Sequence, residues 1–203
     1  LVLNTHADGV RVLINDGQGS FRLRPFPQVY ARGGHSLALA DVDGDGWIDL
    51  YVCNYRQKAL MDMPNARATF RREGDRTVVA TIDGRPTTAS DLTNRFEVNS
   101  SGGIEELGEP DVLYRNDRGT GWVAVPWTEG AFLDAAGKPL PHPPFEWGLA
   151  TQFCDLNGDG KPDLYVCNDF QSEDRFWVNE TAPGGHLRFR AAPQLALRHT
   201  SAF

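Results

Sequence analysis

Cysteine is scarce here. There are three in 203 residues, an odd and small number that implies no disulfide framework. The five histidines, His6, His35, His142, His186 and His199, are scattered. None repeats its spacing to a cysteine, and a nucleophilic thiol needs a paired base. No apolar run approaches the roughly 20 residues of a membrane-spanning helix. Lysine and arginine form no basic patch of the kind that binds nucleic acid. There is neither an initiator methionine nor a signal-like start.

What the chain does have is acid, and it is concentrated. The formal charge is −7, from 27 acidic and 20 basic residues. Seven aspartates in two short segments account for the whole excess. The first segment reads Asp41-Val-Asp43-Gly-Asp45-Gly-Trp47-Ile-Asp49 and the second Asp155-Leu-Asn157-Gly-Asp159-Gly-Lys161-Pro-Asp163. Oxygen side chains fall at positions 1, 3, 5 and 9 of both. Crowding such groups into one loop is unfavourable unless a hard cation neutralises them. Calcium, which accepts six to eight oxygen ligands in flexible geometry, is the natural occupant. Glycine at position 6 allows the sharp turn, and position 7, Trp47 or Lys161, is expected to offer its backbone carbonyl. Two calcium sites are therefore expected.

The spacing is that of an EF-hand, but the surroundings are not. An EF-hand requires a bidentate Glu at position 12, and here that position is Val52 or Val166. The flanks, His35-Ser-Leu-Ala-Leu-Ala40 and Leu50-Tyr-Val-Cys-Asn54, are short apolar runs of strand length and composition. Each loop therefore joins two strands.

A longer repeat contains these loops. Asn4 and Asn15 are 11 residues apart, as are Asn168 and Asn179, and Asp16-Gly-Gln-Gly-Ser-Phe21 matches Asp117-Arg-Gly-Thr-Gly-Trp122. The unit is strand, acidic loop, strand ending in Asn, connection, strand ending in Asn, turn, strand. Four short antiparallel strands per unit describe a propeller blade. The expected fold is all-β, a partial β-propeller of four-stranded antiparallel blades. Residues 1–34 are expected to end one blade whose loop precedes residue 1. Residues 35–145 are expected to form a blade with a long insertion at 55–110, 146–198 another, and 199–203 the start of the next. A piece of a longer chain is thus expected. The insertion is polar and shows little strand pattern, apart from a hairpin expected where Thr77–Ile82 meets Asp83-Gly84.

The motif Leu39-Ala-Asp-Val-Asp-Gly-Asp-Gly-Trp-Ile-Asp-Leu50 resembles the FG-GAP or VCBS repeats of the integrin α-subunit propeller. Trp147-Gly-Leu-Ala150, Asp163-Leu-Tyr-Val-Cys-Asn168 and Val112-Leu-Tyr-Arg-Asn116 are similar to bacterial UnbV/ASPIC and CRTAC-type secreted proteins. The resemblance implies calcium ligation by Asp41, Asp43, Asp45 and Asp49, and by Asp155, Asn157, Asp159 and Asp163. It also implies a secreted, periplasmic or cell-surface location.

Beyond the loops little chemistry is visible. Cys53 and Cys167 share a repeat position and read as small core residues. A Cys154–Cys167 disulfide requires a register that brings the two together. Trp47, Trp122, Trp127, Trp147 and Trp177 read as packing between blades. Asn99-Ser-Ser101 and Asn179-Glu-Thr181 match the glycosylation sequon. Carboxylates bound to calcium cannot also shuttle protons, so no catalysis is expected of them. The expected function is a binding or assembly module with a protein or glycan partner at the cell surface, and no nucleic acid or membrane span. The competing readings are a glycan lyase or hydrolase acting at the propeller mouth, and a carbohydrate-binding lectin.

Overall fold

The computed structural model describes residues 1–5, 9–25, 33–63, 65–169 and 172–193. In chain order the strands are β1 (Val2–Thr5), β2 (Gly9–Asn15), β3 (Phe21–Arg24), β4 (Gly34–Ala40), β5 (Asp49–Asn54), β6 (Ala68–Glu73), β7 (Arg76–Ile82), β8 (Arg85–Pro86), β9 (Phe96–Val98), β10 (Ile104–Glu106), β11 (Val112–Asn116), β12 (Trp122–Ala124), β13 (Phe132–Leu133), β14 (Gly148–Cys154), β15 (Asp163–Asn168), β16 (Arg175–Asn179) and β17 (Phe189–Ala191). Two compact units are present, residues 1–57 with 109–203, and Lys58–Gly108.

The first unit is a partial β-propeller. Its sheets run β1-β2-β3, β12-β11-β5-β4 and β13-β17-β16-β15-β14. Each neighbouring pair is antiparallel except β13, which lies parallel to β17. The two complete blades are near copies. Both carry a bulge on the first strand, between Gly34 and Ser36 and between Gly148 and Ala150. The strands after each connection are joined by matching turns, with Asp16 N–H donating to Ser20 O at 3.0 Å and Asp117 N–H to Gly121 O at 2.8 Å.

Strand β5 explains why the blades stack. All six of its residues are buried, although a strand points alternate side chains to opposite faces. Leu50 and Val52 join Val10, Val12 and Tyr114 on the side of the first blade. Tyr51 and Cys53 join Leu113, Leu164, Val166, Trp177 and Phe189 on the side of the third. A strand sandwiched between two sheets needs apolar side chains at nearly every position, which is why Leu-Tyr-Val-Cys reads as a continuous run. The segment leading out of β12 adds Trp127 and Phe132, whose ring centroids lie 5.6 and 5.3 Å from Trp177. Strand β13 then covers the outer edge of β17, leaving less of an unpaired edge to recruit another chain.

The registers also settle the cysteines. Cys154 pairs with Asp163 and Cys167 with Ala150. The two therefore sit at opposite ends of one hairpin, and all three cysteines are free thiols.

The second unit is more structured than its polar composition suggests. It holds sheet β6-β7-β8 and hairpin β9-β10. Asp83 and Gly84 adopt positive φ, 49° and 75°, and turn β7 into β8 where the sequence signalled a hairpin. A small core of Ala59, Val79, Ile82 and Leu92 is buried. The largely buried Arg95–Glu106 ion pair, at 2.6 Å, is supported by Arg95 donating to Lys58 O at 2.7 Å.

Candidate metal centre

Each acidic loop bridges the first two strands of a blade, β4 to β5 and β14 to β15. Position 1 organises the turn. Asp41 Oδ1 accepts the Gly44 and Asp45 N–H groups at 2.9 and 3.1 Å, and Oδ2 accepts Gly46 N–H at 2.8 Å. Asp155 accepts the equivalent donors Gly158, Asp159 and Gly160 at 2.7, 3.1 and 2.8 Å. The Gly160 hydrogen bond is the main reason its carboxyl lies below the usual range. Gly44 and Gly46 have φ of 73° and 88°, a region closed to most side chains. That is why glycine recurs at positions 4 and 6.

Position 9 ties the loop to its blade. Asp49 is fully buried. Its Oδ2 accepts Val42 N–H at 3.0 Å and its Oδ1 accepts Asn116 N–H, from β11, at 2.7 Å. Asp163, also fully buried, takes Leu156 N–H at 3.1 Å and Asn179 N–H at 2.8 Å.

In the first loop one oxygen from each of Asp41, Asp43 and Asp49 lies within 4.8 Å of the others. The same positions in the second loop are Asp155, Asn157 and Asp163. Position 5 is solvent-exposed in both loops. Asp45 is exposed and its Oδ1 accepts Trp47 N–H at 2.9 Å, as Asp159 accepts Lys161 N–H at 3.0 Å. Trp47 is 44% exposed and its ring lies against Gly119, where an added Cβ would approach within 2.5 Å. It packs on a turn of its own blade, whereas Trp127 and Trp177 sit in the core shared with the third blade.

The electrostatics of the first loop are unfavourable without a cation. Burial pushes the Asp49 carboxyl up to about 6, against the hydrogen bonds from Asn116 and Val42, and the Asp43 and Asp45 charges push the same way. Burial likewise raises Asp43, helped by Asp45 and Asp41 and opposed by the Asp45 N–H and by Arg115. The donor set is all hard oxygen, anionic and clustered, with two members out of water. It fits a calcium-type ion and suits no soft metal.

A second network recurs at the opposite end of each hairpin, and sequence reading missed it. Asp111 accepts the Tyr51 hydroxyl at 2.8 Å and Asn54 N–H at 2.7 Å. Asp174 accepts the Tyr165 hydroxyl at 2.7 Å and Asn168 N–H at 2.9 Å. The signal was an Asp five residues before the second Asn of each complete blade, Asn116 and Asn179. Burial raises Asp111 to about 7 against those hydrogen bonds, with a further upward push from Glu146. Glu146 itself pairs with Arg175 at 2.5 Å. Of the sequons, Asn179 is fully buried with its side chain engaged, and Asn99 Oδ1 closes its own turn by accepting from Ser101 and Gly103. Among the described histidines, His35 stacks on Tyr55 at 4.8 Å, at the end of β4 away from the first loop.

Blades of four antiparallel strands, each with an acidic loop between its first two strands, define an acidic-loop repeat β-propeller. A family model described as FG-GAP-like repeat matches residues 1–52 and 108–196, and the chain belongs to the FG-GAP-like repeat family. The unmatched interval, 53–107, contains all of the second unit but its last residue. The chain is 25% identical over 171 residues to cartilage acidic protein 1 of Homo sapiens, covering 81% of this chain. It is 25% identical over 169 residues to cartilage acidic protein 1 of Mus musculus, covering 80%. It spans about a quarter of the length of these curated relatives.

Proposed function

We propose that this chain is a calcium-binding FG-GAP repeat module of the secreted or cell-surface space, acting in binding or assembly rather than catalysis. The observation that carries the reading is the first loop, where Asp43 and Asp49 are buried beside Asp41 and their carboxyls are raised by burial and by neighbouring aspartates of the loop. Asp41, Asp43, Asp45 and Asp49 would hold one ion, with the Trp47 carbonyl. Asp155, Asn157, Asp159 and Asp163 would hold the second, with the Lys161 carbonyl. Calcium supplies positive charge that lets the clustered carboxylates stay ionised, and so locks the first two strands of each blade. Extracellular calcium modules bind at roughly 10⁻⁴ to 10⁻³ M, which suits millimolar surroundings. The relatives' name ties them to cartilage, which supports an extracellular setting. Among the described residues no helix is long and apolar enough to cross a membrane. The partner, protein or glycan, is proposed to meet the unit at Lys58–Gly108, the part of the chain that the repeat does not require.

Crystals grown with calcium test the ion assignment. Anomalous density is expected inside both loops, and loops without it would refute the reading. A polysaccharide cleavage screen tests the absence of catalysis, and turnover that survives chelation would contradict it.

A further inference from the structure

Loop 1 is not held by its own blade alone. Val42, at loop position 2, is only 3% exposed, whereas Leu156 at the same position of loop 2 is 49% exposed. The cover over Val42 comes from the third blade. Asn179 Nδ2 donates to Val42 O at 2.9 Å across 137 residues of sequence, and also to Pro162 O, within loop 2, at 3.1 Å. Asn179 N–H donates to Asp163 Oδ1 at 2.8 Å, while Val42 N–H donates to Asp49 Oδ2 at 3.0 Å. An unbroken path of buried groups therefore runs from one position-9 carboxylate to the other: Asp163, Asn179, Val42, Asp49. Asp163, Asn179 and Asp49 are each fully buried.

We propose that Asn179 couples the two cation loops, so that an ion in either raises the affinity of the other. The inference rests on the calcium reading and goes beyond it. An ion in loop 2 fixes Asp163 and the Pro162 carbonyl, and these fix both polar ends of Asn179. Its side-chain amide then holds the Val42 carbonyl, and the N–H of the same residue sets one oxygen of Asp49. Loop 1 is thereby ordered before its ion arrives, and the ordering cost is shared between the two binding events. Asn116 grips loop 1 as Asn179 grips loop 2, through N–H to Asp49 Oδ1 at 2.7 Å and Nδ2 to Ile48 O at 3.0 Å. The bridge is thus built on a repeat position. One buried hydrogen bond contributes about 1 kcal/mol, so a coupling of about fivefold is expected, at the low end of measured allosteric couplings.

Terbium is a suitable probe because Trp47 lies in loop 1 while loop 2 carries Lys161 at that position. Tryptophan-sensitised terbium luminescence, lost in Trp47→Phe, reports loop 1. Asp159→Ala weakens loop 2 at an exposed position that touches neither Asn179 nor Asp163. The expected result is that Asp159→Ala lowers the terbium affinity of loop 1 about fivefold, and that Asn179→Ala abolishes this dependence. Reciprocity supplies a check that keeps Asn179 intact. Asp45→Ala, also at an exposed position, should lower loop 2's calcium affinity by the same factor in calorimetry. A loop 1 affinity indifferent to Asp159→Ala would overturn the coupling and leave the calcium reading standing. No sensitised luminescence in the unaltered chain would overturn both.

Discussion

Asp49 and Asp45 belong to one loop but should behave differently when removed. Asp49 is buried and takes two backbone N–H groups, from Val42 and Asn116. Asp49→Ala leaves both donors buried and unpaired, at about 1–3 kcal/mol each. It should destabilise the protein by about 2–5 kcal/mol with or without calcium. Asp45 is exposed and under the proposed reading would act chiefly as a ligand, so Asp45→Ala should matter with calcium and be nearly neutral in EDTA. Denaturant melts of both variants under both conditions check this, and equal losses in EDTA would contradict it. At this scale the sequence was informative wherever side chains repeat at fixed offsets. Positions 1, 3 and 9 were legible as a cluster because acids repeated at fixed offsets in one short loop must crowd together. Asp111 and Asp174 were not, because a lone Asp before a strand looks like any turn residue until its tyrosine partner, about 60 residues away for Asp111, is brought to it. Asn179 looked like a strand end or a sequon, since nothing local shows that its amide crosses to another blade.

Strands and hairpins were legible where burial imposes a pattern. The run in β5 and β15 could be read because two-sided burial demands apolar residues, and β7 because its turn needs positive φ. The second unit was not legible as a folded body. Half the residues of its strands β6, β9 and β10 are charged, and its core is four small or medium side chains. Neither buried core of the propeller unit contains any residue from 58–108. Replacing Lys58–Gly108 with a short connector should therefore leave the propeller unit folded and abolish capture of its partner. Loss of the cooperative melt would show instead that the segment completes the core. The Asp111 network gives a pH test. Its carboxyl stands near 7 when folded, against about 3.9 in an unfolded chain. Between those values the folded state holds a proton the unfolded state lacks, so this group lowers stability as pH rises from about 4 to 7. Asp111→Asn, equal in shape and uncharged, should flatten that slope and exceed the parent by about 1–3 kcal/mol at pH 8. Urea unfolding at pH 5 and pH 8 reads the difference. A gap independent of pH would contradict the assignment.

At the scale of the molecule, blades are copies stacked through shared cores, and the acidic loops lie at one end of each hairpin. The repeat made this architecture legible: two matched loops and paired asparagines are enough to specify four strands per blade. How neighbouring blades touch was not legible, because the residues that meet across them are far apart in sequence, and a repeat position such as Asn179 does not show locally which neighbour it reaches. The central claim is that cations complete this fold. The most direct measurement is the melting temperature of the intact chain in EDTA and in about 1 mM calcium. Two sites with Kd near 10⁻⁴ M contribute about 3 kcal/mol together, which for a domain of this size raises Tm by about 5–10 °C. The account predicts that rise, and predicts that magnesium at the same concentration gives far less of it. A melting temperature unchanged between EDTA and calcium would contradict it.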